Sequence, residues 1–110
     1  GNPGNGTFFV NFIGGAFSGG AVTGDGGMNC NRSSAFECKK SYPAGSRVVF
    51  QMPDTIQANG RTYRYSGSIT CGPAGQANQY QTKSKAAQGG VISFAITSLD
   101  KNYDCAFNFN

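Results

Sequence analysis

The amino-acid sequence predicts an all-β fold: a small antiparallel β-sandwich or partly open barrel with two disulfides and long Gly-rich loops. Three observations carry this. Short runs rich in Val, Ile, Phe, Tyr and Thr recur between Gly, Pro and Asn turn signals, and several alternate apolar and polar with period two. No segment has a sustained helical period, and only Lys83 to Gln88 has the composition of a helical turn. The chain combines 17 glycines and four cysteines with only 13% charged residues, so Ser, Thr, Asn, Gln and Gly must supply its polar surface. That bias is common among extracellular β-proteins. The 110 residues suffice for one domain with a thin core. Residues 1–6, Gly-Asn-Pro-Gly-Asn-Gly, read as a linker or expression remnant, and 7–110 as a single β-domain.

Thr7 to Ile13 opens the domain as a core strand, with Phe8, Val10 and Phe12 on one face and Phe9 and Ile13 on the other. Residues 14–27 carry seven glycines and are expected to form a loop with a short strand near Gly20 to Thr23. A helix there would lose about 1 kcal/mol per glycine relative to alanine. The stretch from Met28 to Phe50 is read as a disulfide-closed loop displaying Arg32, Lys39 and Lys40, then a Pro43-Ala44-Gly45 turn into the next strand. Ser46 to Met52 is a strand with Val48, Phe50 and Met52 inward, broken by Pro53-Asp54. Asn59-Gly60 is the strongest hairpin signal in the chain. Arg61 to Thr70 sets Tyr63, Tyr65 and Ile69 against Thr62, Arg64, Ser66 and Ser68, and Cys71 to Gly75 reads as the next turn. Asn78 to Lys85 has strand length but few apolar residues, which describes an edge strand with Lys83 and Lys85 guarding it. Val91 to Thr97 points Ile92, Phe94 and Ile96 inward. Leu99 to Asn102 is read as a turn, and Tyr103 to Phe109 as a last strand with Tyr103, Cys105, Phe107 and Phe109 inward.

Four cysteines in a short, low-charge chain point to two disulfides and an oxidising compartment. Three pairings exist. Cys30–Cys38 would close a short loop, worth roughly 2–3 kcal/mol on the chain-entropy model. Cys105 on a core face suits a partner at Cys71, directly after a strand, and that longer closure would be worth roughly 4 kcal/mol. A zinc site is disfavoured because no close Cys-x-x-Cys pair exists and the chain has no histidine. No metal or cofactor is therefore expected.

Residues 19–71 also carry a recurrent pattern: Gly20, Val22, Thr23 and Gly27, then Cys30 and Cys38, then Tyr42, Gly45, Ser46 and Val48, then Ser66, Gly67 and Cys71. This pattern resembles divergent internalin-type B-repeat modules of bacterial surface and secreted proteins. The resemblance covers about half the chain. It implies a small β-fold serving as a repeat in adhesins and envelope proteins, without catalysis. Two departures are visible: Tyr65 stands where such modules typically place Trp, and the region 72–110 is longer, with Cys105 near its end.

Without histidine, Ser-His-Asp and Cys-His chemistry are excluded. Of the acids, Asp25, Asp54 and Asp100 fall in turns and Asp104 faces outward, which leaves no evident glycosidase pair. GGAFSGG in 14–20 lacks the Gly-Lys-Ser/Thr ending of a phosphate loop. The net charge of +4 favours anionic partners. Two surfaces are the binding candidates: a basic one with Arg32, Lys39, Lys40 and Arg47, and the edge strand with Gln79, Gln81, Lys83 and Lys85. Arg61 and Arg64 interleave with Tyr63 and Tyr65 as in single-strand nucleic-acid binders, but the tyrosines point inward, so nucleic acid is disfavoured. No apolar run is long enough for a membrane-spanning helix. No signal peptide opens the chain, so an exported protein would be present here in mature or excised form. The resulting expectation is a secreted or surface-displayed (extracellular or periplasmic) non-enzymatic binding or adhesion module contacting a protein or anionic envelope polymer. The alternatives are a self-assembling subunit or tip domain of a pilus or phage-like assembly, and a small secreted toxin, effector or inhibitor.

Overall fold

The computed structural model describes residues 6–13, 21–31, 37–58 and 60–110. Residues 1–5 of the expected linker, most of the glycine-rich loop and Arg32 lie outside them. Ten strands are formed among the described residues: β1 (Thr7–Ile13), β2 (Ala21–Gly24), β3 (Met28–Asn31), β4 (Glu37–Pro43), β5 (Val48–Pro53), β6 (Thr55–Ala58), β7 (Arg61–Pro73), β8 (Gln81–Ser84), β9 (Val91–Ile96) and β10 (Tyr103–Phe109). They build two sheets that face each other as a sandwich and do not close into a barrel.

The larger sheet runs β4-β1-β10-β7, with β6 and β8 both pairing β7; the smaller runs β3-β2-β5-β9. Only β1 and β10 pair in parallel among these strands. β6 takes residues 61–64 of β7 and β8 takes residues 68–71. Tyr65 N–H donates to Asp54 O, and Lys85 N–H donates to Gly67 O. Both bonds leave odd-numbered residues of β7, and in a ladder alternate residues face opposite edges. β6 and β8 therefore lie end to end along the same edge of β7. Between them β7 bulges: its register against β10 jumps between Phe107–Ile69 and Phe109–Tyr65, Gly67 adopts φ 96°, and Ser66 Oγ donates to the Asn108 carbonyl at 2.9 Å.

The alternation read from the sequence sets the core. Val10 and Phe12 of β1, Ile69 of β7 and Cys105 and Phe107 of β10 meet Val22, Val48, Phe50, Met52 and Ile92 of the smaller sheet. Phe12 sits at the centre, stacked on Phe107 at 5.2 Å and edge-on to Phe50 at 4.7 Å. Both expected disulfides form, Cys30–Cys38 and Cys71–Cys105. The first joins β3 to β4, and so one sheet to the other. The second joins directly opposed residues of β7 and β10, 4.1 Å apart at Cα, the close spacing of a non-hydrogen-bonded pair.

The structure corrects several expectations. Met28 to Gly45 is mostly strand: β3 pairs β2 and β4 pairs β1 along its whole length, with Tyr42 buried. These segments are too polar to read as strands alone and are held by their neighbours' ladders. Cys71 to Pro73 is not a turn but the end of β7, kept extended by pairing with Tyr103 to Cys105; the chain turns at Ala74-Gly75. Lys83 to Gln88 forms no helical turn, because the free edge of β7 takes up Gln81–Ser84 as β8. Leu99 is buried rather than a surface turn residue, and its backbone is tied to Gly45 and Ser46.

Candidate binding cleft

The two sheets differ in width. β3 lies by β4 through the Cys30–Cys38 bridge, but at the opposite side the larger sheet extends beyond β9, and β8 projects as an uncovered ledge. Every residue of β8 is exposed. The same face of one strand shows the change: Ile92 of β9 is fully buried, while Phe94 and Ile96 on that face are half-buried. Ile92 is sheltered where residues 85–90 fold back. There the Tyr65 hydroxyl donates to Lys85 O, Ala87 packs on the core, and Gln88 bridges Val91. Among the described residues no such cover lies over β8.

The result is a cleft of about 460 Å³. Its floor is the inner face of the ledge, with Ile69 and Cys71 from β7 and Gln81 and Lys83 from β8. Its wall is β9 and the residues after it, Phe94 to Ser98 without a gap. Consecutive strand residues point to opposite faces, so an unbroken run can line a cleft only along the strand's edge. The far end is closed by Asp100, Lys101 and Tyr103. Tyr103 donates to Asp100 Oδ1 at 2.6 Å, and Lys101 lies 3.7 Å from Asp100 Oδ2. Burial pushes the Tyr103 hydroxyl up to about 12, helped by its bond to Asp100 and that carboxylate's charge. The same hydrogen bond holds Asp100 below the usual carboxylate range. Among the described residues no carboxylate pairs with Lys83.

The same end is braced from outside, since Asp104 follows Tyr103 and pairs with Gly72 beside Pro73. Asp104 of β10 accepts hydrogen bonds from Tyr80 Oη at 2.5 Å, Gly75 N–H at 3.0 Å and Asn11 Nδ2 at 3.3 Å. Burial works to raise its pKa, but these bonds and the charge of Lys39 outweigh it, and Asp104 is held below the usual range. Tyr80 lies over Gly72, where a Cβ would come within 2.5 Å of its ring. This clamp places the turn Ala77–Gln79, and with it Gln79 at the cleft mouth.

The structure thus unites three of the sequence-derived candidates, Gln79, Gln81 and Lys83, in one cleft. Lys85 lies just past β8, its backbone bonded to Gly67 and Tyr65. Lys39 and Lys40 do not form one basic patch, because successive residues of β4 face opposite ways. Lys39 lies on the outer face, its Nζ 4.7 Å from the centre of the Phe9 ring. Lys40 pairs with buried Val10 and extends toward Gly26. Arg47 is exposed before β5, on the smaller sheet's side of the chain. Lys101, Tyr103 and the edge of β9 were not singled out in the sequence. Lys101 beside Tyr103 was the only available signal, since nothing local marks β9 as an edge.

The outer face of the larger sheet is a weaker candidate because its polar groups satisfy one another. Asn108 Nδ2 donates to Ser68 and Thr70, both at 3.0 Å, and Thr70 bonds Thr82 at 2.7 Å. Three of the acids also have structural duties: Asp25 accepts from Val49 N–H at 2.8 Å, beside the Asp100 and Asp104 bonds above. No group of three or more metal-ligating side chains occurs among the described residues. No helix among the described residues is long and apolar enough to cross a membrane. Two disulfides are compatible with an extracellular location. Comparison with protein-family models, with curated proteins and with solved structures returned no match.

Proposed function

We propose that the protein is a secreted or surface-displayed, non-enzymatic module that binds a protein or an anionic envelope component in the cleft between β8 and β9. One observation carries this reading: a concave site of about 460 Å³ in which half-buried Phe94 and Ile96 stand beside Lys83 and Lys101. Apolar surface with a few convergent polar groups is the usual composition of a binding site. The non-enzymatic part is supported by the lack of histidine and by the structural hydrogen bonds of Asp25, Asp100 and Asp104. The extracytoplasmic part is supported by the disulfides and by the pattern in residues 19–71 that resembles B-repeat modules.

The test is binding of acidic peptides and uronic-acid polysaccharides to the disulfide-intact protein and to the K83E/K101E variant. Charge reversal at the cleft should weaken binding at least about tenfold, the effect of 1.4 kcal/mol. The K39E variant, on the outer face, should bind as the parent does. Equal binding by parent and K83E/K101E would remove the cleft from consideration. Measurable turnover in a hydrolase screen would overturn the non-enzymatic reading.

A further inference from the structure

We infer that the cleft is a strand-acceptor groove whose occupant is an extended acidic segment of another protein, added to β9 as a fifth strand of the smaller sheet. This rests on the cleft being the binding site. The backbone supplies the argument. Asp54 N–H donates to Gly90 O, and the same register pairs Met52 with Ile92 and Phe50 with Phe94. Alternate pairs of an antiparallel ladder exchange hydrogen bonds, so Ile92 and Phe94 bond β5. The N–H and C=O groups of Ser93 and Ala95 then face away from β5, along the cleft wall. Among the described residues no strand pairs with them. An extended segment bonded there lies above β8 and covers the ledge, giving the two sheets equal width. Its inward side chains meet Ile69 and Phe94, which favour apolar residues, and Lys83, which favours a carboxylate. Lys101 stands at the far end beside Asp100, 3.7 Å away, so Lys83 carries most of that preference.

A second copy of this chain is the competing occupant. The net charge of +4 and the net positive groove, with Lys83 and Lys101 against Asp100, oppose it, whereas an acidic segment gains from both. Strand addition of this kind draws affinity from main-chain hydrogen bonds and specificity from alternate side-chain pockets.

The experiment uses the disulfide-intact protein and three probes. The first is a peptide of repeating Val-Val-Glu-Glu, which presents both residue types on each face of a strand whatever its register. The second is the same peptide N-methylated at its central residues, which keeps charge and side chains but cannot donate. The third is a uronic-acid polysaccharide. The first peptide is expected to bind, to slow amide exchange at Ser93 and Ala95 at least about tenfold, and to lose at least about tenfold in affinity on N-methylation. Binding should weaken similarly in K83E/K101E. Equal binding of both peptides, or lysine-dependent binding of the polysaccharide alone, overturns strand addition while the cleft remains the binding site. Binding of no probe in a lysine-dependent manner overturns both. Self-association that protects Ser93 and Ala95 without added peptide assigns the edge to a second copy and overturns the acidic segment.

Discussion

The two lateral sides of the sandwich end differently. At one side β3 and β4 are joined across the sheets by Cys30–Cys38, and Tyr42 is buried behind them, donating to the Asp25 carbonyl at 2.8 Å. At the other, β8 reaches past β9 and nothing described covers it. The disulfide nearest this second side, Cys71–Cys105, lies within one sheet and cannot hold the sheets together there. The same fold therefore has one side where a disulfide joins the two sheets and one side where no bridge among the described residues does. Among the described residues the open side keeps backbone donors, half-buried aromatics and Lys83 available beside the cleft, whereas a disulfide ties the sheets together on the other side.

The contrast between the two sides predicts four effects. The largest effect is expected at the floor of the cleft. Replacing Cys71 and Cys105 together by alanine opens a loop of sequence separation 34. It should cost about 4 kcal/mol in urea denaturation, and it should weaken cleft binding. Replacing Cys30 and Cys38 together opens a separation of only 8. The expected cost is about 2–3 kcal/mol, with ligand affinity unchanged, because that bridge lies on the side away from the cleft. A loss of binding here as large as from the Cys71–Cys105 pair would show that the two sides are coupled.

Gly72→Ala is next. Its Cβ would fall 2.5 Å from the Tyr80 ring and 2.7 Å from the Tyr80 Cα. Backbone must shift, at a cost of about 1–3 kcal/mol, and the Tyr80–Asp104 bond should loosen. Denaturation together with tyrosine titration reads both effects.

The smallest effect compares the sides by pH. Burial first, and then the charge of Asp25, pushes Tyr42 on the bridged side up to about 12, as Tyr103 is pushed on the open side. Both folded-state values lie above the ordinary value of 10.0. The stabilisation they bring is thus complete below pH 10 and is lost as pH rises toward and through about 12. Tyrosinate absorbance should rise late for both residues, and Tyr103→Phe should remove only the open-side share. Normal ionisation of Tyr42 in the folded protein would contradict its placement behind the bridged edge.

Much of the fold is legible in the order of residues. Phe12, Phe50, Ile69, Ile92, Cys105 and Phe107 declare their inward faces by alternation, and each is buried. Segments whose own residues alternate strongly were found. β4 and the end of β7 were not, because ECKKSYP and CGP become strands only where β1 and β10 offer ladders. The site was half visible. The poverty of apolar residues in 78–85 marks an edge strand, and Gln79, Gln81 and Lys83 do line the cleft. The pairing of Lys39 with Lys40 misled, since adjacency in a strand places side chains on opposite faces.

By itself, the order of residues determined an all-β chain, its inward faces and the logic of its two disulfides. Period-two alternation and turn chemistry are local properties, and local properties survive in a sequence. Which strand ends a sheet is not local. It depends on how many ladders each sheet accumulates, and only the tertiary structure decided that the larger sheet would outreach the smaller. The overhang of β8, the open backbone of Ser93 and Ala95 and the cleft that Lys83 and Lys101 both line all follow from that mismatch in width.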